Sequence, residues 1–475
     1  MCGIIGIACK NCPNQKRRVF PELMVGGRNL GHRGPQGWGV LTHKDNHPFI
    51  HRREGGFGEG ITARGKVLLA NKMKGSIGLA HTLYSTRGED GQKKQPQFIQ
   101  PWVADFHGKP FGMSYNGNVY DLSLHIQKAR NAGWNFESEI SDTEVIAALI
   151  STSQKTDFVE ALKGVLPLLK GAFSLVFLYG GKIIGARDRH GFKPFCIGMN
   201  DTAVILSSES CVFHPLGARF FREVRPGEIV IIGGNGIEGD TMWTSDTRPR
   251  YCIFELVYFA RPDSRLFQGQ SARNYRERAG MLLAKEEKEE SLRTGTKLVE
   301  ADLVISVPAG GDIFAEAYAW EMGLRCKQGL FKGWGAKTFL APRDVDRRQL
   351  QRMKLHPMSE VVGGKRVIAV DDSIVRNNAG RETVAMLFEA GAAEVHMRIG
   401  CDRIEWPCYY GIDMSKKEEL AAASYTTEQI RGSLGVKSLR YLSLDGMIKA
   451  TGLPKESLCM ACFNGDYPVP PPAED

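Results

Sequence analysis

The sequence predicts two domains of different class: a strand-rich α+β first half and an α/β second half built on a parallel sheet. Three observations predict it. A chain of 475 residues exceeds one core when domains run to about 100–200 residues. Short apolar segments broken by glycine turns fill the first half, to about residue 240. Beyond the polar, turn-rich stretch GDTMWTSDTRPR, apolar strands alternate with amphipathic helices, the pattern of a parallel sheet with flanking helices. A boundary is expected near residue 246, dividing 2–246 from 247–475.

Composition narrows the function classes. With 42% apolar and 24% charged residues the chain is neither disordered nor fibrous. Charged or polar residues interrupt every apolar stretch well short of the roughly 18 residues that cross a bilayer, and the apolar start MCGIIGIA carries no basic leader. A cytosolic protein with no membrane and no nucleic-acid partner is expected. The balance of 62 basic and 53 acidic side chains, +9, favours anionic ligands without selecting one. Eleven scattered cysteines, an odd number, point to free thiols or metal ligands rather than a disulfide framework.

In chain order, KVLLANK, GSIGLAHTLYST, FSLVFLYGGKIIGA, DTAVILSS and EIVIIGGNGIEGD read as strands. SDTEVIAALIS opens with Ser141 and, three residues later, Glu144, a capping box that predicts a helix. In the second half LVISVPA is a strand ending at Gly310 and Gly311, with Asp312 as the cap of the helix IFAEAYAWEM. RVIAV is a buried-type strand and DDSIVRNNAG a polar loop. RETVAMLFEAGA is a helix with Val384, Leu387 and Phe388 on one face, and EVHMRI is the next strand. Ligands of such sheets collect at the carboxyl ends of the strands, where both polar loops lie. The tail PVPPPAED is expected to be extended and exposed.

Removal of Met1 would leave the Cys2 thiol and a free α-amine on one residue. An amine titrating near pH 7.7–8.0 can take the proton of a neighbouring nucleophile. HRGPQGWG from His32, HTLYSTRG from His81, YNGN from Tyr115, SDTE from Ser141, ARDRHGFKP from Ala186 and SSES from Ser207 follow in order. Alone, each has a plainer explanation: Asn-Gly is a common hairpin turn, and an acid in the first turn of a helix is often only a dipole partner. Together they resemble the class II glutamine amidotransferase domain, an amino-terminal nucleophile (Ntn) hydrolase fold with αββα layers. The resemblance implies that Cys2 attacks the glutamine amide, that Asn116 and the backbone amide of Gly117 stabilise the oxyanion, and that Asp142 holds the substrate amine. The family's arginine clamp for the substrate carboxylate is replaced by Leu83. Either Arg33 takes over, glutamine binds weakly, or another amide is the substrate; Arg87 is a further, more distant cation.

DDSIVRNNAG lies between a strand and a helix start, where backbone amides suit a phosphate and paired acids suit hydroxyls or Mg²⁺. It resembles the phosphoribosyl pyrophosphate (PRPP) signature of type I phosphoribosyltransferases. With FELVYFARPDS, RMKLHPMSEVVGGKRV, CYYGIDM and CMACFNGDYP, the whole chain is similar to the amidophosphoribosyltransferase family, which makes phosphoribosylamine in purine synthesis. That resemblance implies ribose hydroxyls and Mg²⁺ on Asp371 and Asp372, and a PRPP phosphate near Ser373, Arg376, Asn377, Asn378 and Gly380. The family's glycine and hydroxyl residues are replaced by Asn377, Asn378, Ala379 and Gly380; Ala309 and Gly310 replace an acid and a serine, and Lys337 replaces an arginine.

Cys252, Cys408, Cys459 and Cys462 match the four ligands of the [4Fe-4S] cluster that some family members carry, with tetrahedral zinc as the chemical alternative. Cys9 and Cys12 are expected to be structural thiols. The resemblance also implies a homo-oligomer, dimer or tetramer, with feedback by purine nucleotides. The alternative reading is a divergent relative with altered amide-donor or sugar-phosphate specificity, or a regulatory, non-catalytic role.

Overall fold

The computed structural model describes residues 1–10, 17–44, 47–84, 98–333 and 352–472. Cys12, Arg87 and Lys337 lie outside the described residues.

Two antiparallel sheets face each other in the first half. The strand Gly3–Cys9, buried along its length, pairs with Ala203–Ser207 on one side and Ile77–Leu83 on the other, at the centre of a seven-stranded sheet. Lys109–Tyr120 and Lys170–Tyr179 are the long strands of a six-stranded sheet. Ile4, Ala8, Leu79 and Leu206 of the first sheet pack against Val176, Leu178 and Ile183 of the second, each burial contributing roughly 1.5–3 kcal/mol. Gly6 permits the approach, since a Cβ there would stand 2.8 Å from Val176 Cγ1. Helix Phe20–Asn29 covers the outer face of the first sheet through Leu23. Asp142–Ser151 and Phe158–Val165 cover the second through Val145, Ile146 and Leu162. The order helix, sheet, sheet, helix is the αββα arrangement.

The second half carries a five-stranded parallel sheet in the order Cys326–Lys327, Leu303–Ser306, Arg366–Asp371, Glu394–Ile399, Ser438–Tyr441. Its flanking helices include Ala272–Thr294, Asp312–Met322 and Asn377–Glu389. Tyr251–Cys252 pairs in parallel with Leu458–Cys459, tying the entry and exit of this unit together. Phe192 of the first half stacks on Tyr410 of the second, ring centroids 4.3 Å apart. No described helix is long and apolar enough to cross a membrane.

Several local expectations are corrected. KVLLANK is not a strand but part of helix Ala63–Lys72, because Thr62 caps it by accepting from the Gly65 N–H. Ser141 accepts from Glu144 N as the capping box requires, but the Glu144 carboxylate accepts from Glu137 N instead of closing the box. Asp312 is the first helical residue, with Gly311 at the cap. The helix of the PRPP segment starts at Asn377, so the last four residues of the expected loop are helical; Val384 and Leu387 are buried there, whereas Phe388 is exposed. The described part of the tail forms no helix or strand and is exposed at Pro470 and Pro471, as expected, and two hydrogen bonds tie it down: Tyr410 Oη donates to Val469 O at 2.6 Å and Tyr120 Oη to Pro470 O at 2.9 Å.

Candidate active site

Cys2 enters the central strand where its partners are already fixed. The next two amides are held by side chains, Gly3 N by Thr82 Oγ1 and Ile4 N by Ser208 Oγ, both at 3.0 Å. Cys2 N donates to Asn116 Oδ1 at 3.2 Å, and its thiol to Tyr84 O at 3.7 Å. Asn116 and Gly117 lie within the strand Lys109–Tyr120, not in a hairpin turn. Asn116 is wholly buried and its Nδ2 has no hydrogen-bond partner, leaving two N–H groups beside Cys2. Burial pushes the Cys2 thiol up, and the adjacent terminal amine opposes that. Met1 is itself buried, its Sδ accepting from Lys193 Nζ at 2.8 Å, and burial lowers its amine to about 5. Excision of Met1 would convert the nitrogen held by Asn116 into the amine.

Asp142 opens its helix and accepts from Thr143 N at 2.8 Å; the hydroxyl of Tyr115 is pushed well up by burial and then by the Asp142 carboxylate. Leu83, half-buried, ends the strand Ile77–Leu83 opposite Gly37. Arg33 does not present itself to a substrate carboxylate. It is wholly buried, with Nε donating to Cys2 O (3.0 Å), Nη1 to Glu209 (2.5 Å) and Glu255 (3.0 Å), and Nη2 to Glu255 (2.9 Å). Two carboxylates of the chain already neutralise it, so it ties the halves together instead.

The second chamber is a cleft of about 860 Å³ at the carboxyl ends of the parallel strands, lined by Tyr258, Arg276, Gly310, Asp371, Asp372, Ser373 and Arg376, and by His32 and Tyr84 from the first half. Ser373 Oγ donates to Asp372 Oδ1 at 2.6 Å, and Asp371 Oδ1 accepts from Asp372 N at 2.9 Å. Gly310 is required by this arrangement: a Cβ there would stand 1.4 Å from Asp372 Oδ2. Burial, then the neighbouring Asp372, pushes the Asp371 carboxyl well up, while burial raises Asp372 to about 6 against Ser373 and Arg276. The proton favoured on Asp371 is one that a divalent cation bound between the two carboxyls would displace.

Arg376 is paired with Glu419, and Asn377 Nδ2 donates to Ser433 Oγ at 2.9 Å. Asn377 and Asn378 line a neighbouring cavity of about 270 Å³ that shares Arg376 with the cleft. Gly380 is not brought to the cleft. The helix start at Asn377 carries it round to Leu434, whose Cδ2 is 3.0 Å from where its Cβ would be.

Cys252, Cys408, Cys459 and Cys462 are all buried, and Cys252 and Cys459 are register partners. Burial, then the neighbouring cysteines, pushes the Cys459 and Cys462 thiols well up; Cys252 rises to about 12, with Lys193 beside it opposing. Among the described residues no three His, Cys, Asp or Glu side chains stand close enough for a single ion. Each of the Cys459 and Cys462 thiols feels the charge of Cys252 and Cys408, so the four buried thiols are electrostatic neighbours. Cys9 is a buried thiol.

Sequence reasoning missed Tyr84, Glu209 and Glu255. Each sits in a motif that was read as a marker only, Tyr84 in HTLYSTRG, Glu209 in SSES and Glu255 in FELVYFARPDS.

A family model described as a glutamine amidotransferase domain matches residues 92–215. The amidophosphoribosyltransferase of Methanocaldococcus jannaschii is 36% identical, covering 99% of this chain and 98% of its own. That of Archaeoglobus fulgidus is 37% identical over 100% and 99%, and that of Bacillus subtilis 35% over 98% and 94%. The solved glutamine PRPP amidotransferase from B. subtilis, complexed with ADP and GMP, superposes with a TM-score of 0.86 at 34% identity, covering 98% of this chain and 97% of that one.

Proposed function

This chain belongs to the amidophosphoribosyltransferase family, and from that premise we propose that it releases ammonia from glutamine at Cys2 and transfers it to PRPP, giving 5-phosphoribosylamine for purine synthesis. With Met1 removed, the Cys2 amine takes the thiol proton and Sγ attacks the amide carbon. Asn116 Nδ2 and the Gly117 N–H stabilise the oxyanion, and Asp142 receives the substrate amine. Ammonia leaves, and water hydrolyses the thioester to glutamate. In the second chamber ammonia attacks carbon 1 of PRPP as pyrophosphate departs. Asp371 and Asp372 take the ribose hydroxyls, and Ser373, Arg376, Asn377 and Asn378 surround the phosphate end. Mg²⁺ held by the two aspartates would supply charge neutralisation for the leaving pyrophosphate. Cys252, Cys408, Cys459 and Cys462 would hold a [4Fe-4S] cluster as a structural cross-link.

The observation that carries this reading is Tyr84: its carbonyl accepts from the Cys2 thiol, and the same residue lines the aspartate cleft. The chambers are neighbours, so ammonia has a short way to go. A cytosolic homo-oligomer, dimer or tetramer, under purine-nucleotide feedback, belongs to the same proposal.

The test is glutamine hydrolysis with and without PRPP and Mg²⁺, with Cys2→Ala as control. Ammonia release that rises with PRPP and yields pyrophosphate supports the proposal. Leu83, in place of a cation, favours a second reading in which the amide donor or the sugar phosphate differs; glutamine hydrolysis indifferent to PRPP selects it.

A further inference from the structure

The gap between the two antiparallel sheets is apolar at its centre and polar at the end where Cys2 lies. Register and alternation place the polar residues. His81 is the partner of Ile4 and follows Leu79 by two positions, and Ile4 and Leu79 both pack in the gap. From the second sheet Asn116 reaches Cys2 N, Ser114 lies two positions before it on the same face, and Ser174 is its register partner. All four side chains are wholly buried.

Five of their polar atoms have no partner among the described residues: both ring nitrogens of His81, Oγ of Ser114, Oγ of Ser174 and Nδ2 of Asn116. The oxyanion accounts for Asn116 Nδ2. The other four are donors and acceptors that no step of the amide reaction uses. Buried polar groups without partners are costly, and folded proteins satisfy clusters of them with internal water, each molecule making about three hydrogen bonds.

Burial keeps the His81 imidazole neutral, lowering it to about 3, with the Tyr115 main chain opposing and the terminal amine reinforcing. A neutral ring offers one N–H and one lone pair. The N–H suits the Tyr115 main chain, and the lone pair remains for the gap. Once Met1 is removed, the Cys2 nitrogen carries two N–H groups and a lone pair of its own. Asn116 Oδ1 takes one N–H. The lone pair must point at Sγ to receive the thiol proton, and it is held there when the second N–H also has an acceptor.

We propose that His81 is a positioning residue for the amide reaction: with Ser114 and Ser174 it holds ordered water between the sheets, and this water accepts the second N–H of the Cys2 amine, turning the amine's lone pair to the thiol. The proposal rests on the function proposed above. No bond forms or breaks at His81. The thiol proton passes to the amine and from there to the departing ammonia.

The test uses processed wild type, with Met1 removal checked by mass, beside two variants. His81→Phe keeps a ring of similar size without nitrogen, and His81→Gln restores a donor and an acceptor. Glutamine hydrolysis and the rate of Cys2 alkylation by a glutamine-like electrophile are measured. Phosphoribosylamine formation from free ammonia, which bypasses Cys2, monitors the rest of the protein. In His81→Phe, kcat for hydrolysis and the alkylation rate should fall by about tenfold or more, a part of the roughly 10²–10⁴ that a positioned base contributes. KM for glutamine should change by less than about twofold, and ammonia-dependent synthesis should be retained. His81→Gln should recover most of the loss. Should His81→Phe misfold, Ser174→Ala removes one hydroxyl without adding bulk, and a loss in kcat of the same sign is expected. A high-resolution crystal structure of the wild type should show water within about 3.2 Å of the His81 ring and Ser174 Oγ. A dry gap, an undiminished kcat in the folded variants, a loss confined to KM, or His81→Gln no better than His81→Phe overturns the proposal and leaves Cys2 as the nucleophile. A wild type that neither hydrolyses glutamine nor reacts with the electrophile overturns both.

Discussion

The nitrogen of Cys2 and Oδ1 of Asn116 stand 3.2 Å apart, which leaves the amide end of a fully buried asparagine without a partner beside the nucleophile. A buried donor so placed is costly unless something charged arrives to take it. Asn116→Ala should therefore lower kcat for glutamine hydrolysis by about 10²–10³, the usual effect of removing one oxyanion donor, with a smaller change in KM. Steady-state kinetics check this; a change confined to KM would remove Asn116 from the oxyanion role.

Leu83 ends the strand that leads to Tyr84 and carries no charge. Leu83→Arg supplies a forked cation, and a charge-assisted hydrogen bond contributes about 1.5–3 kcal/mol. KM for glutamine should fall by about tenfold or more. An unchanged KM would show that the substrate carboxylate is held elsewhere.

Gly411, at φ +94°, brings the loop after Cys408 against the oxyanion strand; a Cβ there would stand 3.0 Å from the carbonyl of Gly117, and Asn118 Nδ2 already donates to Tyr409 O at 2.8 Å. Gly411→Ala forces both a left-handed non-glycine residue and a clash, at about 1–2 kcal/mol for the backbone alone. Glutamine hydrolysis should drop while the parallel sheet stays folded, as read by kinetics and circular dichroism.

His81 is wholly buried between the sheets, and burial lowers its imidazole to about 3. Its folded value lies below the unfolded one near 6.5, so below pH 6.5 the unfolded chain binds the extra proton. Stability present above pH 6.5 is then lost on acidification, by about 1.4 kcal/mol per pH unit. Urea midpoints measured from pH 7 to 5 should fall more steeply for wild type than for His81→Gln. Parallel slopes would show that His81 is protonated in the fold.

Protein purified without oxygen should be brown, with iron and labile sulfide in equal amounts, and Cys408→Ser should lose the colour. A colourless, zinc-loaded sample would defeat the cluster assignment.

Much of the site was legible in one dimension because its chemistry sits in contiguous motifs. Cys2, Asn116 and Asp142 were found by order, and Asp371 and Asp372 by the strand that precedes them. The helix at Ala63–Lys72 was misread because KVLLANK alternates too weakly to separate a half-buried helix from a strand, and its cap, Thr62, lies outside the apolar run. Arg33 was misassigned because a cation missing a local partner looks available. Its two carboxylates are 176 and 222 residues away in sequence.

The sequence by itself supplied the candidate chemistry: a thiol near an amine, an asparagine in an ordered series of motifs, paired acids at a strand end and four matched cysteines. Tertiary structure alone decided how these are joined. Tyr84 touches both chambers, Gly411 lies on Gly117, and one buried guanidinium bridges the halves. Local patterning reports which face a residue turns to a core, whereas the contacts between cores form only when distant segments close on each other.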